Sequence, residues 1–445
     1  MKSNSHYVHE SKLLNNIFRS LHYRNYRLFF AGQGISLIGT WIQRIAMPWL
    51  VYHLTGSAFL LGLVGFAGQI PTFLLAPFAG VLTDRWNRYY ILVVTQILSM
   101  VQALLLAFLY FIGSIEVWHV IVLNVFLGLV NAFDMPARHS FIVEMVEKKE
   151  DLGNAIALNS SMVNSARLVG PAIAGILIAY AGEGTCFLIN GLSYIFVVTC
   201  LLQMNVAPEK KDRQSTHIFA ELKEGFLYTF GLAPLRYVIL LLALVSLMGT
   251  PYTVLMPVFA KEILHGGSHT FGFLMGASGL GALMGAVYLA SRKSVLGLWK
   301  IIPLSAAIFG FGLIAFSLSR IFILSLLLMV AIGLGMITQM ASSNTILQTI
   351  ADDDKRGRVM SFYSMAFMGT APFGSILAGW LADLIGVPNT IAISGVTCII
   401  GALIFVKKLP ELKKGVRSIY VKLGIIPEIS RGIQTATELT VPPQE

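Results

Sequence analysis

Arg167-Leu168-Val169-Gly170-Pro171-Ala172-Ile173-Ala174-Gly175-Ile176-Leu177-Ile178-Ala179-Tyr180-Ala181-Gly182 is an almost wholly apolar run that holds one charge and three glycines. With Gly153 ahead of them, those glycines return 204 residues later as Gly357, Gly374, Gly379 and Gly386, again in an apolar stretch. A chain that repeats itself at such a long offset is built from two similar halves. In a membrane protein this arrangement usually serves transport, with one half rocking against the other around a site between them.

Composition supports the membrane reading. Of 445 residues, 56% are hydrophobic and 12% charged, against roughly 25% charged in an ordinary soluble protein. About 20 largely apolar residues make a membrane-crossing helix. Twelve such stretches are expected, at about 28–54, 58–83, 89–112, 117–138, 154–181, 184–204, 236–260, 270–290, 300–318, 321–349, 359–386 and 388–406. With a cytoplasmic N-terminus, all but four of the 32 Lys and Arg residues lie in the inner segments or, as Arg138, Arg236 and Lys300 do, at the inner ends of spans; the exceptions are Lys261 and Arg320 outside and Arg44 and Arg167 within spans. That asymmetry is the positive-inside rule and places both termini in the cytoplasm. It also accounts for the net charge of +10 without nucleic acid. Residues 1–26 are polar and show no cleavable signal, and Cys186, Cys200 and Cys398 have neither metal-ligand nor redox spacing.

The expected fold is therefore an all-α membrane protein of twelve transmembrane helices in two six-helix halves related by a pseudo-two-fold axis. Its regions are an N-terminal segment (1–27), a first bundle (28–204), a cytoplasmic loop (205–235), a second bundle (236–406) and a basic tail (407–445). Met47-Pro48 ahead of Gly56-Ser57 is matched by Met256-Pro257 ahead of Gly267-Ser268. Six spans per half is an even number, so both halves enter the membrane in the same sense and the repeat is parallel. Small residues let helix backbones approach where lipid gives no hydrophobic drive. The tail mixes Lys413, Lys414, Arg417 and Lys422 with Ile419, Tyr420, Val421, Leu423, Ile425 and Ile426. It reads as a basic amphipathic segment on the inner leaflet or as a solvated one.

Between spans 2 and 3 stands Gly80-Val81-Leu82-Thr83-Asp84-Arg85-Trp86-Asn87-Arg88. This resembles the signature loop of the major facilitator superfamily, with Asn87 where that family has glycine. Asp134-Met135-Pro136-Ala137-Arg138, the run 154–160 and Gly170-Pro171-Ala172-Ile173-Ala174-Gly175 resemble the branch containing bacterial enterobactin-type siderophore exporters and macrolide-efflux proteins. The resemblance implies that Gly80, Asp84, Arg85 and Arg88 belong to a gating loop. It implies further that Asp84 braces span 11 and that Arg88 pairs with an acid at the inner end of span 4, where Asp134 is the expected partner. Gly170, Pro171 and Gly175 join the gating set on span 5.

Two arginines fall in mid-membrane. A charge there costs at least roughly 2.5–3.5 kcal/mol on insertion scales, so Arg44 and Arg167 must face protein or water. Arg44 shares a helix face with Thr40, Ser36 and Gln33 at steps of three and four. The resemblance implies a central cavity lined by spans 1, 4, 7 and 10, to which Asn124, Asn131, Thr250, Thr253, Gln339, Ser342 and Ser343 would add polar groups. Two cations with no nearby acid favour an anionic or acceptor-rich small-molecule substrate. The alternative is that Arg167 fixes helix packing by bonding Asn159 or Asn164.

Export driven by proton antiport is implied by the resemblance, with the bilayer, the substrate and protons as partners and a monomer as the working unit. Asp134 and Asp383 are the acids expected within spans. A facilitator, an importer or a receptor on a transport fold remains open. No Walker loop, metal-ligand spacing or catalytic cluster is visible in the sequence, so neither cofactor nor enzymatic activity is expected.

Overall fold

The computed structural model describes residues 18–205, 218–292 and 294–423, less the side chains of 76, 77, 80, 81, 84, 85, 218–222, 418 and 422. Its helices are α1 (Arg24–Thr55), α2 (Ala58–Arg85), α3 (Arg88–Phe111) and α4 (Val117–Glu144), followed by one run, Lys149–Leu202. At 1.5 Å per residue that run would extend about 80 Å, far beyond a hydrocarbon core of about 30 Å. It breaks into α5 and α6 at Gly182, whose φ of 76° is a left-handed value that glycine alone adopts freely. After a linker helix (Ile218–Gly231) come α7 (Ala233–Ile263), α8 (Ser268–Ala290), α9 (Leu298–Leu318), α10 (Phe322–Ile350), α11 (Arg356–Ile385) and α12 (Val387–Lys422). The break between α11 and α12 is Gly386, the echo of Gly182, at φ 84°.

Ten helical runs among the described residues are long and apolar enough to cross a membrane, with Lys149–Leu202 counted once. α1 is outside that number because Gln33, Gln43 and Arg44 lower its hydropathy. α7 and α11 each carry a π-turn, at Val245–Gly249 and Met365–Gly369, just before Pro251 and Pro372. A proline has no N–H to donate, and a wider turn ahead of it relieves the ladder locally.

The remaining echoed glycines mark helix crossings. A Cβ on Gly170 would lie 2.4 Å from Trp41 Cβ, so α5 rides against α1; on Gly374 it would lie 2.1 Å from the Leu247 carbonyl, so α11 rides against α7. Gly175 packs on Ser268, His269 and Gly272 of α8, while Gly379 packs on Ala58, Phe59 and Gly62 of α2. The crossings α5–α8 and α2–α11 are thus the same contact made twice, and they join the first six helices to the last six. Gly153 and Gly357 meet nothing within 4 Å.

Two elements run past their expected ends. α4 continues to Glu144 rather than 138, adding a carboxylate to that end of the bundle. α12 continues through Pro410 to Lys422. Leu412, Val416 and Tyr420 are buried along it, and Trp299 Nε1 donates to Tyr420 Oη at 3.1 Å. Leu412, Val416 and Tyr420 thus face protein, while Ile419 and Val421 are half-buried, Leu423 is exposed, and Ile425 and Ile426 lie outside the described residues. The linker helix docks on the start of α11, with Arg358 pairing Glu224 at 2.7 Å and Tyr228 donating to Asp352 at 3.0 Å.

Candidate functional site

Trp41 is the centre of the site, although nothing in its local sequence singles it out. It stands three residues before Arg44, so the two share a helix face, and the Arg44 guanidinium carbon lies 5.0 Å from the indole centroid. Gly170 brings α5 onto the backbone of Trp41, and Arg167, three residues earlier, lies 5.8 Å from the same ring. Arg44 is exposed to solvent-accessible space and Arg167 is half-buried. Neither has a hydrogen bond or an acidic partner among the described residues. The packing alternative for Arg167 is not realised through Asn164, whose amide donates to Ser160 O of its own helix at 2.9 Å. The Arg167 carbonyl also abuts Gly279 of α8, so this cation sits at the seam between the two helix groups.

The other polar residues separate into those near this pair and those committed elsewhere. Thr40 Oγ1 lies 3.5 Å from the Tyr194 hydroxyl, and Tyr194, Arg167 and Arg138 are all close enough to act electrostatically on Arg44. Gln33, with its amide oxygen turned towards Arg138, accepts from Nη2 at 3.2 Å. Ser36 is buried. Asn124 is buried and donates to Val64 O at 3.4 Å, whereas Asn131 is half-buried. Thr250 and Thr253 bond backbone carbonyls of their own helix. Gln339, Ser342 and Ser343 are almost fully buried, with Gln339 donating to Ser343. They lie inside the packing of α10 and not on open space.

The acids differ from expectation. Arg88 pairs with Glu144, not Asp134, because the longer α4 carries Glu144 to the start of α3. Asp134 is almost fully buried. It pairs with Arg138 one turn on and accepts from Thr95 Oγ1 at 2.9 Å and Gln96 Nε2 at 2.7 Å. The side chains of Asp84 and Arg85 and the surroundings of Gly80 lie outside the described residues, so the proposed brace from Asp84 to α11 does too. Glu183, at the α5–α6 break, escapes a span-by-span reading. It is buried, accepts from the Tyr110 hydroxyl at 2.8 Å and faces His53 Nδ1 at 3.3 Å.

The end of the bundle that carries Gly56 and Gly182 is closed across the seam. Asp383 of α11 caps the N-terminus of α2, accepting from Ala58 N at 3.1 Å and Phe59 N at 3.3 Å, a favourable place for a carboxylate on a helix dipole. Tyr52 donates to Glu262 at 3.0 Å, and Ser268 Oγ donates to the Gly175 carbonyl at 3.1 Å. Pro171 presents its carbonyl to Gly272 at the same crossing. At the opposite end, the ion pairs Arg88–Glu144, Asp134–Arg138 and Arg358–Glu224 each stay on one side of that seam.

Solved structures share this fold. A bacterial homologue of the lysosomal transporter Spinster, in an inward-facing conformation, superposes with a TM-score of 0.69 at 12% identity, covering 88% of this chain and 98% of that one. A bacterial homologue of the iron transporter ferroportin, also inward-facing, gives 0.65 at 17% identity, covering 87% and 98%. Among characterised relatives, the staphyloferrin A transporter of Staphylococcus aureus is 26% identical over 392 residues, covering 87% of this chain and 97% of its own. The multidrug efflux pump Tap of Mycolicibacterium fortuitum is 29% identical, covering 86% and 94%, and macrolide efflux protein A of Streptococcus pyogenes 25%, covering 88% and 98%. The model of the family described as transmembrane secretion effector matches residues 16–420. The chain is a multi-pass protein of the cytoplasmic membrane that belongs to the transmembrane secretion effector family of major facilitator transporters.

Proposed function

We propose that this chain exports a small anionic or acceptor-rich molecule, such as a siderophore or a related metabolite, by alternating access. The observation that carries the proposal is the placement of Arg44 and Arg167 on one Trp41 ring with no counter-ion among the described residues, next to solvent-accessible space and at the seam between the halves. An unpaired cation is costly at that depth, and a bound anion would offset the cost. The proposed topology has twelve crossings, both termini in the cytoplasm and one working monomer. The first half spans 28–204 and the second 236–406, joined by 205–235, with 1–27 and 407–445 as cytoplasmic ends. In that topology the closed Gly56 end faces outside and the cation site is reached from the cytoplasm.

The names of the relatives, a siderophore transporter and two drug pumps, support export as the direction. Proton exchange is the coupling implied by the family resemblance, and Asp134, Glu183 and Asp383 are the acids available to it. Cells deleted for the gene are expected to retain siderophore-like carboxylates that wild-type cells release. Complementation by the Arg44→Gln variant should not restore release. Equal release by deleted and wild-type cells would sink the proposal.

A further inference from the structure

We infer that the second half carries a site for the head group of an anionic phospholipid, in a cavity at the end of the bundle opposite Gly56. The cavity measures about 150 Å³ and is lined by Leu289 and Arg292 at the end of α8, Ser294 and Val295 of the turn, Leu298 at the start of α9 and Thr345 of α10. One water takes up roughly 30 Å³, so there is room for a phosphate group. Arg292 is tethered at both tips of its fork, with Nη1 donating to Tyr288 Oη at 3.3 Å and Nη2 to the Leu296 carbonyl at 2.7 Å. Gly297, left-handed at φ 88°, makes the turn, and a Cβ there would lie 3.3 Å from Nη2. The remaining donor, Nε–H, is buried and meets no acceptor among the described residues. A buried donor without a partner is costly, and a phosphate oxygen would satisfy it with a charge-assisted bond.

Charge sets the class of ligand. No Asp or Glu occurs from 263 to 351, a stretch that holds Arg292, Lys293, Lys300 and Arg320. α9 opens on the cavity without a side-chain cap, so the positive end of its dipole adds to the arginine. A zwitterionic head group would bring an amine for which the lining has no carboxylate. A net-negative one meets only complementary charge. What lies beside the cavity favours lipid over soluble phosphate as the source. Met284, Val287 and Tyr288 are exposed along α8 at steps of three and four, and Leu296 of the turn is exposed too. Acyl chains would lie on that apolar strip, with the Tyr288 hydroxyl at the polar boundary where tyrosines gather in membranes. In the proposed topology this is the cytoplasmic leaflet, and a bound head group would tie α8, α9 and α10 together.

The test uses the full chain in dodecyl maltoside, with dioleoyl phosphatidylglycerol or dioleoyl phosphatidylcholine added at equal concentration. A ligand of the folded state raises the melting temperature. Phosphatidylglycerol is expected to raise it several degrees more than phosphatidylcholine does. That difference should vanish in Arg292→Gln and in Ser294→Glu, which sets a carboxylate at an exposed position on the rim. Reading the difference within each variant separates lost binding from lost stability. Lys413→Gln, which removes an exposed cation of α12, should keep it. Equal shifts from the two lipids, a difference that survives in either cavity variant, or one that is lost in Lys413→Gln as well would overturn the inference. So would a full shift from inorganic phosphate at millimolar concentration, which would make the cavity a site for soluble phosphate instead of lipid.

Discussion

Arg44 and Arg167 share one indole, so their guanidinium centres are at most roughly 11 Å apart, and at an effective dielectric of about 20 their mutual repulsion is on the order of 2 kcal/mol. The fold tolerates this because Arg44 faces open space and a stacked guanidinium recovers about 0.5–2 kcal/mol from the ring. Arg44→Gln is expected to lower anion counterflow at least tenfold. Arg44→Lys should retain a fraction of it, since an ammonium keeps the charge but neither stacks nor forks. Equal activity of wild type, Gln and Lys variants would remove Arg44 from the site. Asp134 and Arg88 make a second comparison. Asp134→Asn leaves Arg138 facing a neutral amide in a buried network and should cost about 3–5 kcal/mol. Arg88→Gln breaks the pair with Glu144, whose members are less deeply buried than Asp134, and should cost less. Melting temperatures in detergent give the order, and a larger loss for Arg88→Gln would contradict it.

The echoed glycines act as elements of helices. Gly182 and Gly386 turn the chain at corresponding hairpins, Gly170 and Gly374 seat α5 and α11 on α1 and α7, and Gly175 and Gly379 join the two groups of helices. Valine at Gly175 would put a Cβ 2.8 Å from the Ser268 carbonyl, and at Gly379 2.7 Å from the Ala58 carbonyl. Backbone cannot yield as a flexible side chain can. Each variant is therefore expected to open the crossing it sits in, and a cysteine placed at Leu61 or Leu274, both buried, should react with a membrane-impermeant thiol reagent added outside. Unchanged labelling of both cysteines would mean that the crossings do not close that end. α12 offers a simpler case. Truncation after 406 exposes the surface now covered by Leu412, Val416 and Tyr420, and burial of such side chains is worth about 1.5–3 kcal/mol each before entropy is subtracted. A marked drop in melting temperature is expected, and Tyr420→Phe, which removes only the bond from Trp299, should cost about 1 kcal/mol.

At the scale of the whole molecule, the two groups of helices meet through a repeated contact with unrepeated chemistry. Asp383 caps α2 on one side, while on the other a Ser268 hydroxyl bonds the Gly175 carbonyl. Asp383→Asn keeps one acceptor but weakens its interaction with the α2 dipole by about 0.3–1 kcal/mol. It should shift the population towards opening at that end, read as faster labelling of the Leu61 cysteine.

The membrane helices and the doubled plan were legible from hydropathy and from glycine spacing, because each is a property of the chain read in order. Lipid demands about 20 apolar residues whatever the neighbours are, and glycine at positive φ is a local requirement. Arg44 and Arg167 were legible as costly charges for the same reason. Their meeting on Trp41 was not, since it depends on how far α1 and α5 are rotated and how closely Gly170 lets them approach. Nor was the partner of Arg88, which follows from α4 running on to Glu144, or the burial of Gln339 and Ser343, which depends on which face of α10 its neighbours cover. Hydropathy says that a segment lies in the membrane, but not which way a side chain on it points. That direction is set by contacts between residues far apart in the chain, and here only the packed helices supply it.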